Sequence, residues 1–126
     1  MSTPFTTVLI LAIILIVLDF IYLSVNRSIF EQQIVKIQRT ALIPNMVGVV
    51  LCYIFIVLGL YYFIVRTHRP PFDAFLLGLF VYGVYELTNY SIFKKWCPKM
   101  VVMDTLWGGV LFFLSTYFVY KMGKFL

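Results

Sequence analysis

The chain has 126 residues, of which 63% are hydrophobic and only 12% charged, and its formal net charge is +5. A soluble domain carries about 25% charged residues, so this chain cannot cover a soluble surface and reads as a single all-α integral membrane domain, 1–126. Its basic residues lie at both ends of the apolar runs, which suits anchoring to anionic headgroups and argues against a nucleic-acid partner.

A helix needs about 20 residues to cross ~30 Å of hydrocarbon. Lipid obliges each span to satisfy its own backbone hydrogen bonds. Four runs meet that length, at about 5–25, 41–65, 74–93 and 101–120. The first has no basic residue before it and no small-residue cleavage site after it, so a retained helix is expected rather than a signal peptide. In the stretch Asn26–Thr40, Phe30, Ile34 and Ile37 recur at helical spacing, with Arg27, Glu31, Lys36 and Arg39 elsewhere on the wheel. This pattern predicts a short amphipathic helix lying in the interface. The second run carries Cys52, expected as a small core residue. Arg69-Pro70-Pro71-Phe72 and Lys95-Trp96-Cys97-Pro98 each end one helix and open the next, because proline is tolerated only in a first turn. Connections this short force antiparallel neighbours. The expected fold is therefore a four-helix antiparallel bundle. Ala74 and Gly78 form only a weak small-residue packing signal.

The loops on one side carry Arg27, Lys36, Arg39, Lys94, Lys95 and Lys99, against Arg66, Arg69, Lys121 and Lys124 on the other. The positive-inside rule then places both termini on the non-cytoplasmic side of a multi-pass protein. Trp96 is a natural interface anchor, and Tyr61, Tyr62, Tyr117 and Tyr120 suit a belt at the opposite boundary. A homodimer is compatible with so small a bundle.

Three of the five acidic residues, Asp19, Glu86 and Asp104, fall inside the apolar runs, with no Lys, Arg or His in those runs to neutralise them. A mid-bilayer charge costs roughly 2.5–3.5 kcal/mol by insertion scales, so such residues face protein, pair or serve a function. At 1.5 Å per residue, Asp19 lies about 9 Å, Glu86 about 10 Å and Asp104 about 6 Å from the same boundary. The three carboxyls thus share a leaflet and nearly a depth. Tyr22 lies one turn from Asp19, Tyr82 and Asn89 flank Glu86, Trp107 follows Asp104 by three residues, and Asn45 lies at a similar depth.

The segment Tyr82-Gly83-Val84-Tyr85-Glu86-Leu87-Thr88-Asn89, followed by Trp96 and by Asp104-Thr105-Leu106-Trp107-Gly108, resembles a family of small membrane proteins known only as domain of unknown function 2177. Leu18-Asp19 also fits that family's first helix, and the resemblance covers nearly the whole chain. It implies a four-helix membrane protein and no particular activity. Members usually carry Asp where this chain has Glu86, one methylene longer.

Three readings of the cluster follow from its chemistry. The carboxyls can be structural, one or more staying protonated and hydrogen-bonded to Tyr, Asn and Trp across helices. They can bind a cation or relay protons; an oxygen-rich, sulfur-free set suits Mg²⁺, Ca²⁺ or Mn²⁺, with Asp19, Glu86 and Asp104 as ligands. They can supply acid and base to an enzyme acting on lipid headgroups or a lipid-linked substrate. No nucleophile motif or phosphate loop accompanies them. The structural reading, with no cofactor and the bilayer as partner, requires the least.

Overall fold

A computed structural model describes residues 4–29, 32, 46–92 and 98–123. Among these residues the regular structure is helical and no strand occurs. Helix α1 spans Pro4–Val25 and α2 spans Met46–Leu60, passing directly into a π-helical turn, Tyr61–Val65. Helix α3 spans Pro71–Ile92 and α4 spans Pro98–Gly123. Three of the four begin on proline, whose missing N–H costs nothing at a helix start. Phe30, Ile34 and Ile37 of the expected amphipathic segment lie outside the described residues, as do Asn45, Trp96 and Cys97.

Three stretches are long and apolar enough to cross a membrane, Pro4–Val25, Met46–Val65 and Pro98–Met122. Helix α3 is 22 residues long, but Asp73, Glu86, Asn89 and its tyrosines dilute its apolar character.

The closest packing joins α3 to α4. Gly78 lies against the Gly108 carbonyl and Gly109, so that a side chain at Gly78 would overlap backbone atoms. Gly108 in turn accommodates the Tyr82 ring, and Gly109 the Phe75 ring. Contacts pair Phe75 with Gly109, Tyr82 with Gly108 and Gly83 with Thr105, so the two helices run in opposite directions. Small residues permit this approach because close backbone packing, rather than water exclusion, drives association in lipid. The signal that looked weak in sequence, Ala74 and Gly78, marks the tightest crossing.

A continuous core runs across the helices through Leu11 and Leu15 of α1, Val57 and Leu60 of α2, Ala74 of α3, and Leu111 and Phe112 of α4. The rest of the apolar surface faces outward, including Ile13, Phe20, Phe55 and Phe80. Cys52 is exposed rather than in the core. Its neighbour Tyr53 turns inward, and residues one apart on a helix point about 100° apart.

The exit from α2 is held from a distance. Arg66 N–H donates to the Tyr61 carbonyl at 2.8 Å and Arg69 N–H to the Ile64 carbonyl at 3.0 Å, both the wider π-type step. His68 then takes a positive φ of 55°. Tyr120, near the end of α4, donates its hydroxyl to the Arg69 carbonyl at 2.6 Å. That bond satisfies a carbonyl left open by the turn. Arg66 lies over the Tyr62 ring at 4.2 Å and Lys121 over the Tyr117 ring at 5.1 Å, as expected of cations at a membrane boundary.

Two glycine substitutions separate the crossing from a merely small residue. Gly78→Ala should cost about 1–3 kcal/mol through overpacking. Gly83→Ala meets only Thr105 Cγ2 at an ordinary 3.6 Å, and should be neutral or stabilising by up to about 1 kcal/mol from helix propensity. Unfolding in detergent micelles measures both; equal stability of the two variants would contradict the crossing.

Candidate functional site

Helix spacing sets the site. Asp19 and Tyr22 lie three residues apart on α1, and Asp104 and Trp107 lie three apart on α4. Such pairs share a helix face. The two faces meet head to tail. Trp107 Nε1 donates to Asp19 Oδ1 at 3.0 Å, and the Tyr22 hydroxyl donates to Asp104 Oδ1 at 2.5 Å. Each helix thus offers one carboxyl and one aromatic donor, and each donor serves the other helix's acid. The Tyr22 and Trp107 rings stack between the two bonds, with centroids 4.5 Å apart and planes 4° from parallel. Stacking of this kind adds about 0.5–1.5 kcal/mol beyond area burial.

Two further helices reach in. Tyr53 of α2 donates its hydroxyl to Asp19 Oδ2. Both oxygens of Asp19 therefore accept a hydrogen bond, one from each neighbouring helix. From α3, Glu86 is completely buried and lies close enough to Asp104 to interact with it. Two neighbouring carboxyls buried together do not readily ionise at once. Asp19 and Asp104 are each only 7% exposed, whereas their aromatic partners Tyr22, Tyr53 and Trp107 are half-buried.

Tyr82 sits one turn before Glu86. Its ring lies on Gly108 and meets the Phe112 ring edge-on at 6.1 Å. Asn89, on the far side of Glu86, is half-buried and interacts with Tyr85. The structure thus gathers Asp19, Tyr22, Glu86, Asp104 and Trp107 into one network, sets Tyr82 beside it, and turns Asn89 to a different partner. Asn45 lies outside the described residues. Tyr53 is the member that sequence reasoning missed. A tyrosine deep in an apolar run carries a hydroxyl that needs an acceptor, and that was the available signal.

Among the described residues, no group of three or more His, Cys, Asp or Glu is arranged to hold a metal ion. Ser115 Oγ and Thr116 Oγ1 are buried and meet no hydrogen-bond partner among the described residues. They lie about two turns beyond Trp107 on α4, outside the cluster.

A family model described as predicted membrane protein DUF2177 matches residues 5–121. The chain belongs to this family. The match runs from the start of α1 to the last turn of α4 and takes in every residue of the cluster. No curated protein and no solved structure matches the chain. Membership in DUF2177 agrees with the three apolar helices long enough to cross a membrane.

Removing single donors should grade the network. Tyr53→Phe and Tyr22→Phe should each cost about 0.6–1.7 kcal/mol, the range measured for hydrogen bonds between membrane helices. Asp19→Leu should cost more than either, because it strands the donors of both Tyr53 and Trp107. Reversible unfolding by a denaturing detergent reads the order; Asp19→Leu at or above wild-type stability would contradict it.

Proposed function

We propose that the carboxyl cluster is a structural hydrogen-bonded tie that fixes the helices of a four-span membrane protein. The observation that carries this reading is Asp19. A single carboxyl on α1 accepts from Trp107 of α4 and Tyr53 of α2. Buried polar side chains hold membrane helices together because hydrocarbon offers them no alternative partner. The proximity of Glu86 to Asp104 brings α3 to the same cluster.

The finer arrangement belongs to the same proposal. Helix α3, at 22 residues, is about 33 Å long, enough to cross ~30 Å of hydrocarbon. Its antiparallel contacts along α4 support reading it as the remaining span of an antiparallel bundle. Six of the ten basic residues then fall on the side of residues 26–40 and 94–99, which places both termini on the non-cytoplasmic face.

Near-isosteric substitutions distinguish a tie from a charge-dependent site. Gln at position 86 keeps a donor for Asp104, and Asn at position 19 or 104 keeps an acceptor. Glu86→Gln, Asp19→Asn and Asp104→Asn should each therefore lose about 1 kcal/mol or less. Thermal stability in detergent should not change with Mg²⁺, Ca²⁺ or Mn²⁺. Stabilisation of the wild type by one of these cations, absent in the variants, would overturn the structural reading, because a cation is held by the negative charge that amides lack.

A further inference from the structure

Helix α2 is unevenly covered along its length. Val57 and Leu60 of α2 are buried, whereas Val47, Val50, Leu51 and Ile54 in its first half are exposed. Between α1 and α2 lies a groove of about 290 Å³. Val8, Ala12 and Ile16 form one wall, and Val50, Tyr53 and Val57 lie in the other. The α1 wall runs from Val8 to Ile16, so the groove is about 12 Å long at 1.5 Å per residue step. A second apolar groove, beside Phe75 and Val110, has no polar group in its lining. The first does. Tyr53 lines it and donates its hydroxyl to Asp19.

Its position decides what fills it. Both walls belong to stretches long and apolar enough to cross a membrane. Water does not enter an apolar space at that depth, and an empty groove forfeits the dispersion contacts of its walls. On α2 the groove runs from Val49 past Tyr53 to Leu58, and on α1 from Ile16 to Val8, so the Tyr53 side chain that bonds Asp19 lies midway along one wall. Ala12 at its middle leaves room for a narrow, flexible apolar chain. We propose that this groove is a lipid site, occupied by one acyl chain of a phospholipid from the leaflet that holds Asp19. The chain passes Tyr53, lies along Ala12 and supplies the packing that α2 lacks against α1. Tyr53 ties the groove to the polar cluster, and the acyl chain fills its apolar length.

Tryptophan quenching tests this directly. The chain has two tryptophans, and Trp96→Phe leaves only Trp107, which bonds the same carboxyl as Tyr53. The protein is reconstituted in phosphatidylcholine vesicles, with and without bromine on the acyl chains. Bromine quenches an indole only at close range. Trp107 should be quenched, and Ala12→Phe or Val50→Phe, which fill the groove from either wall, should each reduce that quenching. Ile13→Phe, on an outward face, should leave it unchanged. Emission in unbrominated vesicles and helical circular dichroism verify that each variant has folded. Native mass spectrometry supplies an independent readout. Wild-type protein should retain a bound phospholipid that both groove-filling variants lose. Equal quenching and equal lipid retention in all variants would overturn the proposal. A dimer dispersed by Ala12→Phe, with no lipid bound, would assign the groove to a second copy and overturn it equally.

Discussion

A carboxyl inside hydrocarbon has no water to solvate it, so its partners must come from the protein. Asp19 shows how this chain meets that constraint. One of its oxygens accepts from an indole on α4 and the other from a phenol on α2. Since both donors are anchored on other helices, solvating the acid and assembling the helices are one event. Asp104 accepts from Tyr22 of α1 and lies beside Glu86 of α3. A membrane protein gains little from driving apolar side chains together, because lipid is as apolar as leucine. Directional bonds of this kind, together with close backbone packing, must take over that task.

The remainder of the fold places these groups. Gly78, Gly108 and Gly109 let α3 approach α4 until side chains on one helix meet backbone on the other. That approach brings Glu86 alongside Asp104, two turns further along α3 from Gly78. On the opposite side of the bundle, Tyr120 fastens the connection between α2 and α3 through the Arg69 carbonyl. The polar cluster and the tyrosine latch thus lie at opposite ends of α4. The aromatic stack of Tyr22 and Trp107 lies between the Tyr53–Asp19–Trp107 chain and the Tyr22–Asp104 bond. The bonds to Asp19 join α1, α2 and α4.

Much of this was legible in the sequence for a simple reason. Acids are rare in apolar runs, and the rise of a helix converts their positions into depth. Asp19, Glu86 and Asp104 could be matched on that basis, and Trp107 followed from its three-residue spacing to Asp104. Tyr53 was not legible in the same way. It lies in a helix that is apolar on every side, so no periodicity distinguishes its inward face. Cys52 was expected inside for the same reason, and lies outside because Tyr53 occupies the inward position. In soluble proteins the contrast between an apolar stripe and a polar face resolves such choices; where the solvent is itself apolar, that contrast vanishes. The glycine crossing was underestimated because its strength depends on both helices. Gly78 alone says little, and only its position opposite Gly108 makes it tight.

In the structural tie proposed for the cluster, aromatic donors hold Asp19 and Asp104, and the fully buried Glu86 stays protonated beside them. Infrared spectroscopy of the reconstituted protein tests this most directly, because a protonated carboxylic acid and an ionised carboxylate absorb at separate frequencies. The account predicts a protonated carboxyl band at neutral pH that is slow to shift in heavy water and is lost in Glu86→Gln. A spectrum in which Glu86, Asp104 and Asp19 all absorb as ionised carboxylates would contradict it.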